Sequence, residues 1–319
     1  MKPIKMSPVF KQYIWGGDNL HKIYGKNTPE PPVAESWEIS AHPDGMSIAD
    51  GGECDGMTID EICSKYGGEF YGKSMKNGEP FPLLLKVLDA NDRLSVQVHP
   101  DDEYAAEHEN GGKGKTEAWY VLRADDGAEL IYGFKNGVTK SDFRNAIDNG
   151  TVENVLNKVK CYPGDVFYIP SGTVHAIGKG LMIAEIQQSS NTTYRVYDYN
   201  RRDKNGNLRE LHVEKALDVS NFDSAEGKEK TSGTVENIGE ASVRHILNTE
   251  FFCFDELDIK GSCTENTNNL LHMLFVAEGE LNIAGLELKK GDSALVPAST
   301  GKYDITGSGK VLLYYTESK

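Results

Sequence analysis

Apolar and polar positions alternate in short runs along most of this chain. LLLKVLDA (83–90), LSVQVH (94–99), EAWYVL (117–122), ELIYGF (129–134), DVFYIP (165–170), GLMIAEIQQ (180–188) and TYRVYDY (193–199) each predict a strand. Gly, Pro, Asp and Asn separate them, as in an all-β barrel or sandwich. In LSVQVH, the side chains of Ser95, Gln97 and His99 share one face, and Val96 and Val98 share the other. Pro100 ends that strand at once. Helical signals are few. TIDEICSKYG (58–67) opens with Thr58 and Glu61 in capping-box spacing, and DDEYAAEHE (101–109) starts on aspartates suited to a helix N-terminus. SDFRNAIDNGTVENVLNKV (141–159) predicts two short helices split at Gly150.

A repeat organises the pattern. PGDVFYIPSGTVHAI (163–177) and KGDSALVPASTGKYDI (290–305) both read Gly-Asp, an apolar run, Pro, small residues and a return strand. The expected unit is a hairpin, and its recurrence predicts a duplicated barrel. The first copy carries His175 after its proline. The second has Lys302 and Tyr303 near that point, so one barrel is expected to hold a site and the other to be structural. NFDSAEGKEKTSGTVENIGE (221–240) is polar and reads as a linker or exposed loop.

The 319 residues suffice for two domains and a substantial core. No stretch approaches the roughly 18 apolar residues that span a bilayer, and the N-terminal segment lacks a signal-peptide apolar region. A cytoplasmic protein without membrane partners is expected. Five scattered cysteines without a CxxC pair fit reduced thiols and argue against a disulfide framework or thiolate zinc site. A net charge of −15 disfavours nucleic acid but leaves room for an anionic substrate in a locally basic pocket. There is no P-loop or GxGxxG fingerprint.

Four potential metal ligands then stand out in strand contexts: Gln97, His99, Glu117 and His175. Imidazoles with carboxylate or amide oxygens suit zinc or another borderline divalent ion, and a set without thiolate leaves a coordination position open. Other histidines (His21, His42, His108, His212, His245, His272) have no comparable partners in sequence. Lys86 interrupts an apolar run, Lys115 lies two positions before Glu117, and Arg195 and Arg201 follow in NTTYRVYDYNRRD. Cations around a metal are what a phosphorylated substrate requires. Glu185, in MIAEIQQ, is a candidate proton acceptor, as are Lys86, His99 and a metal-bound water.

YIWGG (13–17), AESWEISAHPDG (34–45), PLLLKVLDANDRLSVQVHPDDEYA (82–105), GKTEAWYVL (114–122), PGDVFYIPSGTVHAIGKG (163–180) and NTTYRVYDYNR (191–201) together resemble the type I mannose-6-phosphate isomerases, in their short bacterial form, of the cupin superfamily. The resemblance implies a mainly β chain of two cupin-like, jelly-roll barrels with a few short helices. The expected division is a catalytic domain over 1–220 with N-terminal strands and a helical insert, a linker or loop over 221–240, and a second, metal-free barrel over 241–319. It implies one zinc ion per chain, held by Gln97, His99, Glu117 and His175. The reaction implied is the interconversion of mannose 6-phosphate and fructose 6-phosphate through a cis-enediol. Ser95 and Lys115 match substrate-site residues, and Arg195 matches the active-site arginine. Where longer members carry a lysine six residues after that arginine, this chain has Arg201, expected to hold phosphate. Where they carry tyrosine after the last histidine ligand, it has Ile177. The chemistry also admits an iron oxygenase using two histidines and a carboxylate, or a non-catalytic sugar-phosphate-binding cupin. Monomer and homodimer both remain open.

Overall fold

The computed structural model describes residues 1–202, 206–223 and 226–318. The chain is mainly β, with two cupin-like barrels and six short α-helices among the described residues. In the first barrel, a six-stranded antiparallel sheet runs in the order Val166–Ile169, Glu117–Ala124, Leu181–Gln188, Leu83–Ala90, Glu35–Ile39 and Val9–Lys11. A five-stranded sheet faces it, ordered Leu156–Lys160, Glu129–Phe134, His175–Ala176, Val96–Val98 and Tyr194–Tyr197.

Leu83–Ala90 is buried at all eight positions, which is why it reads as an unbroken apolar run. Leu83, Leu85 and Val87 join a core cluster that also holds Phe252, Phe254, Phe275 and Tyr314 of the C-terminal half. Leu88 and Ala90 pack inside the first barrel with Trp119 and Phe167. Lys86 therefore sits on the strand's barrel-facing side, in register with Glu185 and Trp37. Val96 and Val98 point away from the site into a third cluster with Phe134, Phe143 and Val174.

Helix Ile59–Tyr66 has the expected capping box from Thr58 and Glu61, and helix Asp102–His108 is capped by the Asp101 side chain. The stretch 141–159 departs from expectation. It forms one helix (Lys140–Asp148) and one 3-10 turn (Val152–Asn154), and then a strand, Leu156–Lys160. That strand pairs with Glu129–Phe134, and this non-local ladder overrides local helix preference.

A nine-stranded sheet with its own core forms the second barrel. Its longest strands, Cys253–Asn266 and Lys302–Tyr315, pair along 14 positions. At their middle Gly261 faces Gly307, whose φ of +123° and closeness to the Glu280 carbonyl admit no side chain. Two N-terminal strands, Ile4–Ser7 and Ile48–Ala49, close one edge of this sheet. The segment expected as a linker carries a strand, Thr234–Ile238, fully exposed and paired with Ala241–Asn248. Residues 224 and 225 of that segment lie outside the described residues.

The repeat is real, but it is not a hairpin. In both copies the aspartate side chain accepts from the backbone N–H three residues earlier, Tyr162 for Asp165 and Lys289 for Asp292. In both, the glycine N–H donates to a valine carbonyl, Val121 for Gly164 and Val276 for Gly291. After the proline, however, the chain crosses. Val166–Ile169 pairs with Glu117–Ala124, whereas His175–Ala176 belongs to the facing sheet. Ser293–Val296 pairs with His272–Ile283 on one side, and Lys302–Tyr315 pairs with it on the other. Proline ends one strand and small residues carry the chain to a new neighbour.

His272 lies inside the second barrel, its Nδ1 2.9 Å from the Tyr303 hydroxyl. Burial pushes its pKa down to about 4. Because the folded value lies below the ordinary 6.5, folding favours the neutral imidazole. The stabilisation is complete above pH 6.5 and is lost as pH falls towards 4. Urea unfolding is expected to show His272→Leu losing up to about 3 kcal/mol less than the parent between pH 6.5 and 4. Identical pH slopes would refute this.

Candidate active site

Two cross-strand rows on facing sheets build the site. On the five-stranded sheet, Tyr132, His175, Gln97 and Arg195 lie opposite one another in successive strands. On the six-stranded sheet the row is Trp37, Lys86, Glu185, Trp119 and Phe167. Glu117 lies two positions from Trp119 on the same face, beside Lys115, which precedes the strand. The turn after Pro170 is fastened to the ligand strand by a bond from the Gly172 N–H to the His99 carbonyl, 2.8 Å.

His99, Glu117 and His175 are buried, and their ligand atoms lie within 4.8 Å of one another. The Nδ1 of His99 lies 2.8 Å from the Thr192 carbonyl, and that of His175 2.8 Å from the Thr173 carbonyl. A carbonyl can only accept, so each Nδ1 carries the proton and each Nε2 turns a lone pair towards the site. Those Nε2 atoms stand 3.6 and 3.4 Å from the two oxygens of Glu117. The Gln97 amide is 3.4 Å from His175 Nε2. Neither Glu117 oxygen makes a hydrogen bond of ordinary geometry, although the Lys115 ammonium lies 2.5 Å away. Burial and the neighbouring Glu185 carboxylate push the Glu117 carboxyl up to about 7 against the pull of Lys115. Burial, with Lys115 second, holds His175 down at about 3. A buried carboxylate that faces two imidazole nitrogens and an amide, with Lys115 as its cation and 3.1 Å from His99 Nε2, fits a divalent cation. Among the described residues no other group of three such side chains converges in this way.

A cavity of about 300 Å³ opens beside these ligands. Of the residues expected from sequence, Lys86, Ser95, Gln97, Lys115, Glu185 and Arg195 line it, as does Ile177. The Lys86 ammonium is 3.5 Å from Glu185 and 3.9 Å from Glu35, and Glu185 also accepts from the Trp119 indole at 2.9 Å. Burial would raise the Glu185 pKa, but Lys115, Lys86 and the indole together lower it, so it stays a carboxylate. Arg195 donates from Nε to Ser95 Oγ at 3.3 Å and from Nη1 to the Glu210 carbonyl at 3.0 Å.

Of the residues expected to meet substrate, Arg201 does not line the cavity. It bonds to Asp198 and to the Arg93 carbonyl, pairs with Asp92 at 3.4 Å and lies over the Tyr199 ring. Residues that sequence reading passed over take part instead: Tyr13, Trp15, Glu35, Asn191, Thr193, Arg209 and His212. His212, read as partnerless, meets Arg195 through the Arg195 N–H donating to His212 Nδ1 at 3.3 Å. Trp15 lay within the YIWGG segment, but Arg209 and His212 had no strand alternation to mark them.

Residues 4–126 match the family model for the phosphomannose isomerase type I catalytic domain, and residues 242–316 the mannose-6-phosphate isomerase cupin domain. The chain is similar to mannose-6-phosphate isomerase ManA of Bacillus subtilis, 39% identical over 98% of each chain. It is also similar to mannose-6-phosphate isomerase of Streptococcus mutans, 40% identical over 98% of this chain and 97% of that one. The crystal structure of a Bacillus subtilis mannose 6-phosphate isomerase superposes with a TM-score of 0.93 and 36% identity, covering 98% of this chain and 99% of the other.

Proposed function

The chain belongs to the type I phosphomannose isomerase family and is an isomerase, and we propose that it interconverts mannose 6-phosphate and fructose 6-phosphate with one zinc ion per chain. The observation that carries this reading is the juxtaposition of a thiolate-free ligand cluster with a cavity lined by four cations, Lys86, Lys115, Arg195 and Arg209. Gln97, His99, Glu117 and His175 would hold the metal. When bound, it supplies Lewis acidity that favours negative charge on a substrate oxygen.

Aldose–ketose isomerisation moves a proton between C1 and C2, here through a cis-enediol. The Glu185 carboxylate has the charge and the cavity position to take up and return that proton, and Lys86 holds it there and can relay the proton onward. Lys115 adds positive charge beside Glu117, and Ser95 fixes the Arg195 guanidinium. Arg195, which lines the same cavity, would stabilise the enediolate charge electrostatically. The five free cysteines fit a reducing, cytoplasmic setting.

Purified protein should convert mannose 6-phosphate to fructose 6-phosphate without consuming oxygen. His99, Glu117 and His175 also form the two-histidine, one-carboxylate set of iron oxygenases, so oxygen uptake without isomerisation would sink this reading. No turnover of any sugar phosphate would favour a binding protein. Within the isomerase, Arg195→Ala is expected to lower kcat by about 100-fold or more while changing KM far less. Wild-type kcat in that variant removes the catalytic role.

A further inference from the structure

Charge is distributed unevenly around the cavity. At the metal end each lysine has a carboxylate: Lys86 has Glu185 and Glu35, and Lys115 has Glu117. Two guanidiniums, Arg195 and Arg209, also line it. Arg195 has no carboxylate within ion-pair distance among the described residues. Among the described residues Arg209 pairs with Asp198, which it meets side-on, Nε to Oδ2 at 2.7 Å and Nη2 to Oδ1. That same carboxylate also serves Arg201. Asp198 thus answers two arginines, with Asp92 also pairing Arg201, and among the described residues these three guanidiniums outnumber the carboxylates paired with them. Side-on binding uses Nε and one Nη2 hydrogen, leaving the Nη1 pair of Arg209 for a ligand.

We propose that Arg209, and not Arg201, is the side chain that grips the phosphoryl group of the substrate, with Asp198 as its anchor. The inference rests on the sugar-phosphate reading above. A phosphoryl oxygen pair matches the planar fork of a guanidinium fixed from behind. Arg209 and Arg195 both line the cavity, so a phosphoryl group held by Arg209 would share it with Arg195. Arg201 is spent on Asp198, Asp92 and the Arg93 carbonyl.

The test is steady-state kinetics on the metal-loaded enzyme. Arg209→Met should raise KM for mannose 6-phosphate by about 10- to 100-fold with kcat within a few-fold. Inorganic phosphate should inhibit that variant more weakly by a similar factor. Arg209→Lys should recover part of both, because a point charge binds phosphate without the fork. Asp198→Asn, which keeps the cation but frees it, should fall between. Arg201→Met should leave KM and phosphate inhibition near the parent values. An unchanged KM and unchanged phosphate inhibition in Arg209→Met, in an enzyme whose parent form isomerises mannose 6-phosphate, overturns this inference alone. A parent enzyme that does not act on sugar phosphates overturns the underlying reading instead. Should Arg209→Met fold poorly by its melting curve, Arg209→Lys decides: parental phosphate inhibition there, with a large loss in Arg201→Met, assigns the phosphate to Arg201.

Discussion

Exhaustive chelation is expected to abolish turnover, and added zinc to restore it at one ion per chain. The reason is electrostatic. Glu117 is wholly buried, neither of its oxygens makes an ordinary hydrogen bond, and two imidazole lone pairs face it at 3.6 and 3.4 Å. Both imidazoles are fixed in that tautomer by backbone carbonyls, so the donors are already oriented before metal arrives. His99→Ala and His175→Ala should each weaken metal binding on the order of 100-fold or more, since each removes a direct donor. Metal content after dialysis and zinc titration calorimetry read this independently of activity. Stripping should also lower the melting temperature, because the ion binds the folded chain. Full turnover by metal-free enzyme would defeat the assignment. So would a second tightly held ion in the C-terminal barrel, where position 302 holds lysine and His272 is occupied with Tyr303.

The other large effect is on stability. Lys26→Met should destabilise the protein by about 3–5 kcal/mol. The Lys26 ammonium lies 2.8 and 3.0 Å from the two oxygens of Glu38 and donates to the Gly291 carbonyl at 2.6 Å. The Glu38 side chain has no exposure to solvent. Without the lysine it would keep only the Ser36 hydroxyl, 2.6 Å away, as a partner. An uncompensated buried carboxylate costs far more than the pair contributes over an apolar substitute. The double variant Lys26→Met/Glu38→Leu should therefore recover most of the loss, a coupling that a double-mutant cycle in urea measures. A single variant within about 0.5 kcal/mol of the parent would show that the pair is solvated. Activity should fall with stability, because the pair joins the Gly-Asp turn of the second barrel to the strand that carries Glu35 and Trp37.

Strand identity was legible wherever local alternation and burial agreed. Leu83–Ala90 and Glu129–Phe134 coincide with the expected runs because their neighbours bury the faces that the pattern marks. Leu156–Lys160 was not legible: its residues satisfy a helix or a strand, and the ladder with Glu129–Phe134 decides. Gln97, His99, Glu117 and His175 were legible as candidates because strand periodicity and turn chemistry mark them, and the fold brings the ligand atoms of His99, Glu117 and His175 within 4.8 Å of one another. Arg209 and His212 lie in an irregular segment, where nothing periodic says which way a side chain points. The surroundings of Arg201 were hidden for the same reason, since six residues of separation from Arg195 do not disclose that Asp198, Asp92 and a carbonyl hold it away from the cavity lining.

The sequence by itself therefore determined most strands, the candidate ligand types and the asymmetry between the two copies of the Gly-Asp repeat. Only the tertiary structure decided that the repeat is a crossover, that N-terminal strands close the second barrel, and which arginines line the cavity. The division follows from range. Periodicity and turn preferences act over a few residues, whereas strand partners and ion pairs are chosen among groups far apart in the chain, and are settled by the burial and charge compensation of the whole fold.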